Sequence, residues 1–356
     1  MPAPREIVTN RLTLRPPTPL DRSLWVRLHR DPALFEHAPH TMPASDELAG
    51  DGFRDCLGRW ESAGFDYGVV EESSRREGVG VGGLRRRELA DTGEVLNLYY
   101  RLASSVHGRG LATEAVRAWT AHAVEWLPDL PVVVKVTERN VPSVRVALAA
   151  GLERVGTVAL DDAPPGEPPS TVLQAPRVEV PDSLDDPTRE SLLDLWCAVN
   201  DVGGAVGFLP GAPRPAVAAA LAAHEQGMAD GTTTLVLLRG AGDRVVGAGF
   251  WVADGNPLFD HARTAYRVMA HPQMQGRNLG RILLAAMHRV ARELGVEIAV
   301  LDVRSGLGLT RFYERMGYVE VGRVPGVIRV APGDDRDRIM MARCLDGRRM
   351  VPDGRA

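Results

Sequence analysis

One short arrangement occurs twice in this chain and limits what the chain can fold into. In the C-terminal half an apolar run, Thr264 to Ala270, breaks at His271-Pro272 and leads into Met274-Gln275-Gly276-Arg277-Asn278-Leu279-Gly280. Beyond it Ile282, Leu283, Ala286, Met287, Val290 and Leu294 recur at three and four residues, the spacing of one buried helical face. In the N-terminal half Val95 to Leu102 leads into Val106-His107-Gly108-Arg109-Gly110-Leu111-Ala112, and a second amphipathic helix follows through Val116, Trp119, Ala123 and Trp126. A strand, a Gly- and Arg-bearing loop and a helix start point unpaired backbone N–H groups at one spot. The helix adds about half a positive charge there, which suits a phosphate-bearing ligand.

The repetition extends past the loops. Gly110-Leu111-Ala112 lies over Asn278-Leu279-Gly280 at an offset of 168 (278 − 110), and Gly151-Leu152 lies over Gly317-Tyr318 at 166 (317 − 151). Two separate matches at nearly one offset indicate an internal duplication. A chain of 356 residues accommodates two domains of ordinary size. Asp161 to Pro169 resembles a linker, but Ser170 to Ala175 then reads as one more strand, so the boundary is placed near Pro176. The expected domains are 1–176 and 177–356, both α+β with mixed sheets.

Composition excludes several classes. Apolar residues at 44% and charged residues at 25% describe a soluble globular protein. A net charge of −4 supplies no global field for nucleic acid or an anionic membrane. Cys56, Cys197 and Cys344 are far apart and read as small buried hydrophobes, and the histidines form no metal-ligand pattern. No export segment or bilayer-spanning run stands out, so a cytoplasmic protein is expected. Gly78 to Gly83 formally matches a dinucleotide fingerprint. A charged turn precedes it and Arg85-Arg86-Arg87 follows where a helix should start, so a Gly-interrupted strand beside a solvated Arg loop is expected.

Both halves resemble the GNAT superfamily of N-acetyltransferases, whose acyl-CoA loop has the pattern [QR]-x-x-G-x-[GA] between a strand and a helix. His107 to Ala112 fits except at its first position, and Gln275 to Gly280 fits except at its fourth. The first half, with Arg11-Leu12-Thr13-Leu14-Arg15 and Asn140-Val141-Pro142-Ser143, is similar to the ribosomal-protein N-terminal acetyltransferase branch. The second, ending Arg311-Phe312-Tyr313-Glu314-Arg315-Met316-Gly317-Tyr318, is similar to the small-molecule enzymes. The resemblance implies two tandem GNAT domains, each a mixed, mainly antiparallel twisted sheet flanked by helices, and acetyl-CoA as cofactor. It assigns the CoA pyrophosphate to His107, Gly108, Arg109, Gly110, Leu111 and Ala112, and to Gln275, Gly276, Arg277, Asn278, Leu279 and Gly280. It assigns the pantetheine and thioester to the preceding strands, Tyr100, Arg101 and Leu102, and Val268, Met269 and Ala270. Asn140 and Ser143 join the first site.

Acetyl transfer to an amine needs a route for the amine proton, a donor to the developing oxyanion and, less stringently, a proton for the leaving thiolate. In many members a Tyr on the short helix before a Gly-aromatic pair gives that last proton. Tyr313 stands there in the second half and Ala147 in the first. The resemblance therefore implies that the C-terminal half catalyses and the N-terminal half is a less capable repeat. Asp260 and His261 are candidate bases, or simply members of a solvated turn. Gly203 to Leu209 falls where acceptor loops lie, and it is apolar rather than the acidic pocket a polycation would need; Trp196 and Trp251 read as core. The expected partner is an amine-bearing small molecule or peptide, with no nucleic acid, membrane or metal; no oligomeric state is specified. The alternatives are a silent acyl-CoA-binding protein, or catalysis by the N-terminal half on a peptide or protein α-amine.

Overall fold

The computed structural model describes residues 3–89, 93–127, 129–158, 169–348 and 350. The chain divides into two compact units, Pro2–Pro176 and Arg177–Ala356. Except for Pro169, the connection read at Asp161 to Pro169 lies outside the described residues.

The first unit runs β1 (Ile7–Val8), β2 (Leu12–Arg15), α1 (Arg22–His29), α2 (Asp46–Ala63), β3 (Tyr67–Glu72), β4 (Glu77–Leu89), β5 (Gly93–Leu102), α3 (Leu111–Trp126), β6 (Val132–Val136), α4 (Val141–Ala149), β7 (Glu153–Val158) and β8 (Ser170–Gln174). These strands form one sheet in the order β1-β2-β3-β4-β5-β6-β8-β7. Among the described residues every pairing is antiparallel except β5 with β6. Trp25, Phe53 and Cys56 of α1 and α2 fill one face, and Leu111, Val116 and Trp119 of α3 fill the other. The glycine run sits inside β4 as expected; a Cβ at Gly82 would lie 2.6 Å from the Trp119 ring, so only Gly lets α3 approach. Arg85 to Arg87 correct the loop expectation, because they continue the same strand. Arg86 and Arg87 face solvent, whereas Arg85 turns inward and donates to Asp66 at 2.8 Å.

The second unit runs β9 (Arg177–Glu179), α5 (Asp186–Asp201), α6 (Arg214–Ala229), β10 (Thr233–Arg239), β11 (Val245–Val252), β12 (Ala262–Ala270), α7 (Leu279–Glu293), β13 (Ile298–Arg304), α8 (Leu309–Glu314), β14 (Val319–Ala331) and β15 (Asp334–Cys344). Its sheet order is β14-β15-β13-β12-β11-β10-β9, with β12 and β13 the parallel pair. Asp185 caps α5 by accepting from the Thr188 N–H at 2.9 Å. Trp196 and Leu192 of α5 bury against Phe250 and Met269 on one sheet face. On the other, Ile282, Leu283 and Met287 of α7 are fully buried, so the three-and-four spacing found its sheet. Both units thus have the mixed, mainly antiparallel, helix-flanked sheet that the resemblance implied.

Candidate active site

In the second unit β12 and β13 pair from Ala262–Ile298 to Ala265–Leu301, and among the described residues no further pair joins them. Tyr266 to Ala270 and Asp302 to Arg304 therefore diverge, leaving the backbone of β12 unpaired on its β13 side. At the point of divergence β12 is bulged: Arg267 and Val268 together oppose the single Gly249. Arg267 takes φ +52°, a left-handed backbone rare for a residue with a side chain. The chain then turns through Gly276 at φ +77° into α7, and Asn278 precedes the helix at φ +69°. Asn tolerates that conformation better than most residues, so the loop keeps its shape where glycine was expected.

The Arg281 and Ile282 N–H groups both donate to the Asn278 carbonyl, at 3.0 and 3.1 Å, so the N–H groups of Leu279 and Gly280 precede the helical ladder. The first turn of α7 holds no acidic residue. Arg277 is exposed and meets no carboxylate among the described residues. Unpartnered N–H groups, a cation and diverging strands fit a pyrophosphate with an extended chain running from it.

Tyr313 lies on α8, which meets the start of α7 through Phe312. Helix α8 starts after Gly308 at φ +69° and ends at Glu314; the chain turns away at Gly317, φ +83°, and the Tyr318 N–H donates back to the Tyr313 carbonyl at 3.1 Å. Phe312 packs onto the start of α7, where a Cβ at Gly280 would lie 3.1 Å from the tip of its ring. The Tyr313 ring meets Phe312 edge-on at 5.2 Å and Tyr318 at 5.7 Å. Its hydroxyl has no hydrogen-bond partner among the described residues, and burial pushes it up to about 12. The group is a neutral phenol across the physiological range. Behind it lies a pair the sequence did not suggest. His288, fully buried, stands 3.0 Å from the Tyr318 hydroxyl, and Arg343 donates to its Nδ1 at 2.8 Å. Because the guanidinium can only donate, Nδ1 is the acceptor and Nε2 carries the proton.

The first unit carries the same loop with different surroundings. Strands β5 and β6 pair at Leu96–Val132 and Asn97–Val133 and then part. Gly108 and Gly110 take φ +73° and +74°, and the loop is exposed. Its charges are already paired. Arg109 bonds Glu72 of β3 through both terminal nitrogens, one at 3.2 Å, which holds that carboxyl below its usual range. Arg11 donates to the Arg109 carbonyl at 2.8 Å and to Glu114, in the first turn of α3, at 2.7 Å. His107 uses its Nε2 on the Leu102 carbonyl at 3.0 Å. Strand β5 pairs with β4 in unbroken register, without the bulge of β12. The Tyr100 hydroxyl donates to Ser143 at 3.0 Å, and the Ser143 N–H to Asn140 at 3.2 Å, which ties β5 to the start of α4. Arg101 stacks 3.5 Å from the Phe35 ring centre and donates to the Tyr99 hydroxyl at 2.8 Å. Ala147, at the position of Tyr313, is buried and has no side-chain proton to give.

Asp260 and His261 are not brought to Tyr313. Both are exposed, and the His261 carbonyl accepts from Glu297 and Ile298 at the closed end of the β12–β13 pair. The length of β13 separates them from the open end, about 20 Å at the usual rise per residue. The loop after α5, by contrast, reaches the open end. Arg304 at the end of β13 donates to the Gly203 carbonyl at 2.7 Å, and Gly207 lies against the guanidinium of Arg267. Trp196 and Trp251 are core, 0% and 1% exposed, as expected. No motif marks Arg267; a lone charge inside the run Thr264 to Ala270 is its only signal in the sequence. Among the described residues no group of His, Cys, Asp and Glu is placed to hold a metal, and no helix is long and apolar enough to cross a membrane.

Diverging parallel strands followed by a loop with free helix-start N–H groups are what the resemblance to the GNAT superfamily implied. A family model described as an acetyltransferase (GNAT) domain matches residues 11–153, and a second with the same description matches residues 214–326. The chain belongs to the GNAT acetyltransferases as a tandem of two such domains, an N-acetyltransferase that uses acetyl-CoA. No curated protein matches the sequence. Among solved structures it is similar to a protein assigned to the GNAT family from Bordetella pertussis, at 23% identity over 48% of this chain and 99% of that one, TM-score 0.41. It is also similar to the ribosomal-protein-S18-alanine N-acetyltransferase of Escherichia coli, at 16% over 50% and 99%, TM-score 0.37. A Salmonella typhimurium protein solved with acetyl-CoA matches at 19% over 50% and 99%, TM-score 0.39.

Proposed function

We propose that the C-terminal domain, residues 177–356, transfers an acetyl group to a primary amine, and that the N-terminal domain, residues 1–176, is a repeat that does not turn over. The carrying observation is that, among the described residues, a bulged, diverging strand, an unneutralised loop and a neutral phenol occur together in the second unit and not in the first. Bound acetyl-CoA supplies a thioester-activated acetyl group. Leu279, Gly280 and Arg277 hold its phosphates, and the backbone of Val268 to Ala270 lies along the open edge where the acyl arm passes. The bulge leaves the Val268 N–H as the donor nearest the divergence, suited to a carbonyl oxygen that gains negative charge. Tyr313 holds its proton at the phenolic oxygen until a sulfur leaving group, basic at about pKa 8.5, takes it. In the first unit Glu72 and Glu114 cancel the charge of Arg109 and Arg11, and Tyr100 crosses toward Ser143. Both features weaken the grip on an acyl-CoA.

Hydrogen exchange with and without acetyl-CoA tests this placement. Slowed exchange at Gly276 to Arg281 is expected, with little change at Gly108 to Thr113. Protection confined to the N-terminal loop would move the function to the first unit.

A further inference from the structure

We propose that the amine acceptor also carries a carboxylate, and that Arg267 binds it. The inference rests on the reading of the C-terminal domain as the catalytic one and adds the class of its substrate. Arg267 stands on the bulge of β12, one residue before Val268, in a strained left-handed conformation. Residues hold such backbone angles where the surroundings impose them, and they concentrate at binding and reaction sites. Its guanidinium lies 5.4 Å from the Trp196 ring centre and under Gly207, where any Cβ would overlap it. Gly207 itself has φ +98°, so a glycine at this point both shapes the loop and leaves the space.

Partner accounting sets this arginine apart. Arg15, Arg85 and Arg239, with side chains 21%, 14% and 8% exposed, each meet a carboxylate. Among the described residues Arg267 meets none, and its enclosed Nε has no acceptor. A guanidinium offers five donors and cannot shed its proton, so leaving it unmatched in a sheltered place is unfavourable. A ligand anion would match it. Its field reaches His224, which stacks on Phe250 at 4.2 Å and whose pKa is lowered to about 4, by burial first and by Arg267 second. The neighbouring imidazole is therefore neutral and leaves the positive potential of Arg267 intact.

The geometry also selects the kind of anion. Trp196, Val206 and Phe208 make the surroundings apolar, and Arg304 is already engaged by Gly203. A single planar fork in such a setting matches a carboxylate in two-point contact, whereas a phosphate dianion asks for a second cation. Polyamines and other polycations are repelled. The loop from Gly203 to Gly207 runs from the end of β13 to the bulge of β12, so an acceptor entering between loop and strands meets Arg267 beside the acyl arm.

The test measures thiol release from acetyl-CoA with α-amino acids and with ω-amino acids of increasing length, each beside its primary amide and its decarboxylated amine. Wild type, Arg267→Gln and Arg267→Lys are compared, with acetyl-CoA binding as the check that both variants fold. A charge-assisted pair predicts that wild type prefers the best amino acid over its amide by about ten- to a hundredfold in kcat/KM, and that Arg267→Gln reduces this to about twofold or less. Arg267→Lys keeps part of the preference. Equal use of amide and acid by wild type, or an undiminished preference in Arg267→Gln, overturns the inference. Failure of the underlying catalytic reading looks different: no amine is turned over at all. Calorimetric binding of the same amino acids to the acetyl-CoA-loaded protein then decides. Binding lost in Arg267→Gln upholds the carboxylate site, and no binding to wild type overturns it.

Discussion

Substitution of Gly280 separates stability from catalysis at the joint between the loop and Tyr313. A Cβ at this position would sit 3.1 Å from the Phe312 ring tip, inside the ordinary contact range of 3.4–4 Å, so Phe312 must retreat by a few tenths of an ångström. Tyr313 is the next residue and moves with it. Replacing a helical Gly by Ala gains at most about 1 kcal/mol of helix propensity, which offsets the crowding in Gly280→Ala. Valine adds two methyl groups against the same ring and is destabilising by about 1–3 kcal/mol, or roughly 2–12 °C in Tm for a domain of this size. Misplacing a reacting group by 1 Å costs about a hundredfold in rate, so a shift of half that predicts about a tenfold fall in kcat. Gly280→Ala should therefore melt near wild type yet turn over more slowly, and Gly280→Val should lose both. Thermal melts and steady-state thiol release, with KM for acetyl-CoA tracked separately, measure the two effects. If Gly280→Val keeps wild-type Tm and kcat, Phe312 does not couple α8 to the loop and the reasoning is wrong.

Two further predictions concern charge. Arg277→Glu places a carboxylate at a helix start with no acidic residue of its own, and KM for acetyl-CoA should rise about tenfold or more, most visibly at low ionic strength. Added salt should shrink the effect, and a salt-independent KM would mean that Arg277 does not face the phosphates. His224 is held neutral, its pKa lowered to about 4 by burial and then by Arg267. Its folded pKa lies below the unfolded value of 6.5, so the stability it contributes is complete above pH 6.5 and is lost as pH falls through about 4. His224→Phe should flatten the decline of Tm across that window relative to wild type, while an unchanged decline would remove His224 from the account.

Much of this architecture could be read from the chain because its signals are local. The face of α7 follows from apolar residues at helical spacing, and the loop before it from Gly276 and Asn278 at positions that take positive φ. The stop after α8 follows from Gly317, which is why Tyr313 could be placed on a short helix from sequence. Longer-range facts were not legible. The bulge at Arg267 depends on a register mismatch with β11, and nothing in Thr264 to Ala270 announces it. Arg85 read as solvated because its partner, Asp66, is distant in sequence. The pairing of Arg109 with Glu72 neutralises a loop whose motif alone looks as competent as its counterpart. Asp260 and His261 looked close to the site along the chain, but an extended strand carries them to its far end.

The most direct test of the account is free-thiol release from acetyl-CoA by Tyr313→Phe against wild type, under saturating acetyl-CoA and amine. Removing the phenolic proton while keeping the ring predicts a fall in kcat of about a hundredfold or more, with acetyl-CoA affinity and Tm unchanged. An unchanged kcat in Tyr313→Phe would contradict it and place the chemistry outside the C-terminal cleft.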